Sequence, residues 1–146
     1  MFIQGQIFYF TPFYFKNGNS SKNKFFIVLK NSETNVIVAL LPTSVNNAPS
    51  LIDKLFGCIN HEDRCFNCYS FEPNKIITDN GFAFSKPTFL YGNEVDIYQI
   101  DMLESVYQIE NIDYEIIGML TPQAYQEIYS CLKNSNSIKR GIKKLL

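Results

Sequence analysis

Four potential metal ligands fall within eleven residues: Cys58-x2-His61-x3-Cys65-x2-Cys68. Thiolate and imidazole are the ligands Zn²⁺ prefers, and two Cys two residues apart can hold one ion from a tight turn. A zinc knuckle at Cys58, His61, Cys65 and Cys68 is one expectation. The other is a loop of unliganded thiols whose apolar members pack on the core. His61 is the only histidine, so Cys–His or Ser–His–Asp chemistry would have to use it, with Glu62 and Asp63 beside it.

A second constellation is basic and aromatic. Residues 1–32 carry Lys16, Lys22, Lys24 and Lys30 and no acid, interleaved with Phe8, Phe10, Phe13, Tyr14 and Phe15. Lysines draw in phosphates, and exposed rings stack on unpaired bases. Most of these rings are expected in the core. Three consecutive aromatics cannot all face inward in an extended segment, so at least one of Phe13, Tyr14 and Phe15 should reach the surface. Lys16, Lys22, Phe13 and Tyr14 are the expected RNA-binding residues. No glycine spacing makes a phosphate loop, and the acids of 94–115 lack calcium-loop spacing.

The elements that must position these groups read as strands. Gly5–Phe10 is aromatic and β-branched and should stop at Thr11-Pro12. Lys24–Lys30 is nearly all apolar, as for a strand buried on both faces. Asn31–Asn35 is a hairpin loop, and Val36–Leu41 returns to Pro42-Thr43-Ser44. Ser50 to Phe56 reads as one or two helical turns ended by Gly57, and Cys58 to Cys68 as irregular. Short strands are expected at Tyr69–Phe71, Ile76-Ile77, Phe82–Phe84, Thr88–Tyr91 and Glu94–Ile100. Tyr114–Leu120 precedes Thr121-Pro122, a strong helix start, and apolar residues at 3–4 spacing carry a helix over about 121–133. The short joins make the strands antiparallel. The fold class is mainly β with a C-terminal helix: one domain over 1–146, with an insertion at about 46–75.

Composition bounds the rest. The chain has 146 residues, 46% hydrophobic and 18% charged, which suits a folded domain. Four Cys are too few for a disulfide scaffold, so reduced thiols are expected. No apolar run approaches the ~20 residues of a membrane span, and the N-terminus lacks the pattern of a secretory signal, so a cytoplasmic location is expected. Net charge is −1, yet residues 87–132 hold eight acids and no Lys or Arg, while Lys133, Lys139, Arg140, Lys143 and Lys144 follow without an acid. Such asymmetry leaves room for a nucleic-acid face.

Gly5-Gln6-Ile7-Phe8-Tyr9-Phe10, a polar loop, Lys22-Asn23-Lys24 opening Phe25–Lys30, and Val36–Leu41 closing on Pro42-Thr43-Ser44 resemble the MazF/PemK (Kid) toxins. Ile116-Ile117-Gly118-Met119-Leu120-Thr121-Pro122 resembles that family's closing strand and terminal helix. The resemblance covers about two-thirds of the chain. It implies a small SH3-like antiparallel barrel, a homodimer, an antitoxin partner, and cleavage of single-stranded RNA without metal or other cofactor. It places catalysis at Lys24 and Thr43, with Ser44 adjacent. Lys24 stands where the family has Arg, and Lys supplies charge without the bidentate fork, which implies weakened activity. The alternatives are a non-catalytic SH3-like module that binds nucleic acid or peptide through the aromatic edge, and a zinc-stabilised interaction domain.

Overall fold

The computed structural model describes residues 2–41, 56–61 and 66–146. Eight strands are described: β1 (Gln6–Phe13), β2 (Lys22–Asn31), β3 (Asn35–Leu41), β4 (Gly57–His61), β5 (Phe66–Phe71), β6 (Thr88–Tyr91), β7 (Val95–Gln99) and β8 (Tyr114–Met119). Helix α1 (Ile100–Val106) follows β7. Helices α2 (Pro122–Lys133) and α3 (Arg140–Lys143) close the chain. One sheet has the order β7-β3-β2-β1-β8 and the other β4-β5-β6, and all named strand pairs are antiparallel. The protein is thus mainly β with antiparallel sheets and a C-terminal helix. The described strands do not close into a barrel, since β7 and β8 are the free ends of the larger sheet.

Strand alternation divides the larger sheet into two buried faces. Register sets Ile7 opposite Ile27 and Ile27 opposite Ala39; one step along, Phe8 faces Phe26 and Phe26 faces Leu40. Ile7, Ile27, Leu29, Ile37, Ala39 and Leu41 form an aliphatic face covered by Tyr69, Phe71 and Leu90 of the second sheet and by Ile128 and Leu132 of α2. Phe8, Phe10, Phe26, Val28, Val36, Val38 and Leu40 form the other face, covered by Phe2, Tyr98, Leu103, Tyr107 and Tyr114. The apolar run of β2 is therefore buried on both sides, as its composition predicts. Burying one Phe or Ile contributes roughly 1.5–3 kcal/mol, so these two rows dominate the stability.

Four local expectations are corrected. β1 does not stop at Thr11-Pro12. It continues to Phe13, because a register irregularity between Phe10↔Lys24 and Phe13↔Lys22 spares Pro12 a ladder hydrogen bond. Cys58–Cys68 is not irregular throughout: β4 and β5 pair from Gly57↔Ser70 to His61↔Phe66. Ile76-Ile77 and Phe82–Phe84 are not strands. They are tied by Ile77 N–H to Phe82 C=O at 2.9 Å and Asn74 N–H to Phe84 C=O at 2.7 Å, around a turn where Thr78 Oγ1 accepts from Phe82 N. The strand expected to reach Ile100 ends at Gln99, where α1 begins and turns Leu103 into the aromatic cluster. The turns expected over Ser50–Leu55 lie outside the described residues.

The C-terminal helix forms where its cap predicts. Thr121 Oγ1 accepts a hydrogen bond from Ala124 N at 3.2 Å, and Pro122 occupies the first turn. Its inner face buries Ile128, Cys131 and Leu132. The Tyr125 hydroxyl donates to Leu29 C=O at 2.6 Å, joining α2 to β2.

Candidate nucleic-acid interface at Lys24

The basic and aromatic residues of the N-terminal third meet where β1 and β2 end together. Phe10 pairs with Lys24 and Phe13 with Lys22, so both lysines sit at the rim of the aromatic face. Lys24 is half-buried, with its ammonium 5.9 Å from the centre of the Phe15 ring. Burial lowers its pKa, Glu94 pulls the other way, and Lys22 adds to the lowering. Among the described residues neither Lys22 nor Lys24 makes an ion pair. A half-desolvated, unpaired ammonium is the arrangement that gains most from an incoming phosphate.

Beside it lies an open recess of about 360 Å³, walled by Phe15, Lys16, Leu40, Glu94, Asp96, Tyr98 and Lys139. Lys16 is engaged here. Its ammonium is 3.3 Å from Asp96, lies 4.0 Å over the Tyr98 ring, and donates to Ile97 C=O. Lys139 approaches Asp96 at 3.9 Å. Such half-exposed pairs contribute no more than about 1 kcal/mol, so a polyanion can compete for them.

Of the three consecutive aromatics, Tyr14 is the exposed one, at 58%. Its backbone N–H donates to the Tyr107 hydroxyl at 2.8 Å and its ring lies 6.2 Å from the Tyr107 ring. Phe13 is fully buried, packed between Phe10, Phe26 and Tyr107, and has no face free for a base. Phe15, at the recess wall, is half-buried. Thr43 and Ser44 lie outside the described residues. The last described residue of β3, Leu41, is opposite Phe25, the neighbour of Lys24.

The structure separates the Cys/His group. Cys58 lies opposite Tyr69, and Ile59 opposite Cys68, so Cys58 and Cys68 project to opposite faces of the β4–β5 hairpin. Cys58 is bonded to Cys131 of α2, which corrects the expectation of reduced thiols for this pair. A sulfur in a disulfide is not a thiolate ligand. Cys68 is a buried free thiol whose pKa burial pushes up to about 11, the opposite of what metal binding or nucleophilic chemistry needs. Cys65 lies outside the described residues, and of His61 only the strand backbone is described. Among the described residues no cluster of three or more His, Cys, Asp or Glu could hold a metal ion.

Asp96, Tyr98, Glu94 and Lys139 are the recess residues that sequence reasoning missed. The alternation Glu94–Asp96–Tyr98 marks a half-buried strand, but only the β3–β7 pairing brings it to Lys16. Comparison with models of protein families, with curated proteins and with solved structures finds no match to this chain.

Proposed function

We propose that the protein is a MazF/PemK-like endoribonuclease that cleaves single-stranded RNA at the Lys24 edge. The observation that carries this reading is Lys24 itself: half-buried, free of any ion pair among the described residues, and 5.9 Å from the half-buried Phe15 ring. In the proposed reaction a ribose 2′-hydroxyl attacks the adjacent phosphorus. The new 2′-O–P bond forms as the 5′-O–P bond breaks, leaving a 2′,3′-cyclic phosphate and a 5′-hydroxyl. Lys24 stabilises the charge that builds on the phosphoryl oxygens, and the hydroxyls of Thr43 and Ser44 position the phosphate. Lys16, Lys22 and Tyr14 hold flanking nucleotides, with Phe15 as a stacking surface. No metal or other cofactor enters the reaction.

The same reading treats the two sheets as an opened SH3-like barrel, supported by the packing of Tyr69, Phe71 and Leu90 onto the aliphatic face. It includes a homodimer, an antitoxin that covers the RNA edge, and action in the cytoplasm. No helix among the described residues is long and apolar enough to cross a membrane. The Cys58–Cys131 disulfide counts against that location, since a reducing cytoplasm holds thiols open.

A non-catalytic binding module is the alternative, favoured by Glu94 and Asp96 inside the recess and by the engagement of Lys16 with Asp96. Incubation with mixed single-stranded RNA, with and without EDTA, separates the two. The nuclease cleaves equally in both, and Thr43→Ala abolishes cleavage. Salt-sensitive binding without turnover assigns the binding module.

A further inference from the structure

A second surface has the opposite chemistry. Helix α1 turns Leu103 inward and presents Met102 and Val106, four residues apart on one side, to solvent. The turn that follows adds Ile109, 53% exposed, and Ile112, 66% exposed. The turn that carries Ile109 and Ile112 is held in place. Tyr107 between them stacks on Phe13 at 5.8 Å. The Asp113 carboxylate accepts from Gln108 N at 3.0 Å and Ile109 N at 2.9 Å, and Ile112 N donates to Ile109 C=O at 3.2 Å. Thr11 N donates to Asp113 C=O, and Thr11 Oγ1 donates to Ile112 C=O, tying the turn to β1.

The segment that carries these side chains is acidic: it holds Asp101, Glu104, Glu110, Asp113 and Glu115, with no Lys or Arg between residues 87 and 132. The Tyr114 hydroxyl has its pKa raised first by burial and then by Glu110, Asp113 and Glu104. An exposed apolar strip of this kind marks a contact surface. Its charge selects the partner: carboxylates repel nucleic acid and anionic lipid headgroups, and attract a cationic protein segment with an apolar face.

We propose that the strip Met102–Val106–Ile109–Ile112 docks a basic, apolar-faced segment of another protein, seated on the isoleucines and steered by the carboxylates of the same segment. This surface adjoins the Lys24 edge through Tyr107, whose hydroxyl accepts from Tyr14 N, and the proposal does not depend on RNA cleavage.

The probe is a labelled synthetic helix of Leu and Lys, about 14 residues long so that it can form helix on binding, with a Leu–Glu helix of the same pattern as its opposite. Fluorescence anisotropy reads binding. The Leu–Lys peptide should bind the full chain and the Leu–Glu peptide should not. Ile109→Asp with Ile112→Asp should weaken binding about tenfold or more, and so should Glu104→Lys with Glu110→Lys, and only the effect of the carboxylates should fade at high salt. All four positions are exposed, and an unchanged thermal melt confirms folding of the variants. No binding, or binding unchanged in both variants, overturns the proposal. So does self-association lost with the Ile variants, which gives the strip to a second copy. Equal binding to phosphatidylserine vesicles gives it to a membrane and overturns the proposal as well.

Discussion

The two faces of the five-stranded sheet solve the same burial problem differently. The aliphatic face is roofed by a second sheet and by α2, and the roof is fastened by Cys58–Cys131. Among the described residues the aromatic face has no second sheet. Its own rings, with one two-turn helix and a few tyrosines, supply the cover: Phe10 packs within 4.6 Å of Phe26 and Tyr107, and Phe8 within 5.8 Å of Phe2, Phe26 and Tyr114. Large side chains let a single layer bury itself, but the cover thins out at its rim. Both the Lys24 edge and the apolar strip of the acidic segment lie there. The aliphatic side carries structure, and the aromatic side carries the exposed chemistry.

That contrast can be broken by mutation. Leu40→Ala, on the aromatic face, should cost nearer the upper end of about 2–5 kcal/mol, because the single layer of rings around it settles less into the cavity. Leu29→Ala, on the roofed aliphatic face, should cost nearer the lower end of that range. Denaturant melts of the two variants check the ranking, and equal losses would remove the distinction.

The disulfide comes next in size. It joins residues 73 apart, so opening it should cost about 4 kcal/mol in the chain-entropy account. A melt with and without reductant measures this, and Cys58→Ser should reproduce the reduced value. In the reduced protein Cys58 should take iodoacetamide at pH 8, while Cys68, pushed up to about 11, should not.

Thr121→Ala should cost about 1 kcal/mol through loss of the α2 cap, read from the same melts. Gly118→Ala should cost about 1–2 kcal/mol. A methyl there would come 2.5 Å from Asn80 Oδ1 and displace the amide that donates to Ile117 C=O.

A further effect is alkaline. Tyr69 is pushed up to about 12, by burial first and then by its hydrogen bond to Glu127 and that carboxylate's charge. Its folded pKa is above its unfolded value, so the folded state binds more protons between about pH 10 and 12. Stability is therefore intact below about pH 10 and falls as pH rises through that window. Tyr69→Phe should flatten part of that fall in melts taken across it.

What was legible in the sequence followed from local physics. The apolar run of Phe25–Leu29 announced burial on both faces, and Thr121-Pro122 announced α2 to the residue. Phe13–Phe15 could not all turn inward, and Tyr14 is the residue that turned out. What was illegible depended on distant partners. The Asn-rich stretch around Asn60 and Asn67 looks like loop until α2 and Cys131 lie beside it. Pro12 looks like a terminator until a register shift absorbs it. Asp96 is an acid on a strand until Lys16 reaches it from 80 residues away in the chain.

On the proposed reading Lys24 is the cation of an RNA-cleaving edge. The most direct measurement is the rate of cleavage of single-stranded RNA by Lys24→Arg and Lys24→Ala beside the parent chain. A guanidinium restores the bidentate fork that an ammonium lacks. Lys24→Arg should cleave faster than the parent, and Lys24→Ala should lose cleavage. Equal rates in all three proteins would contradict that reading.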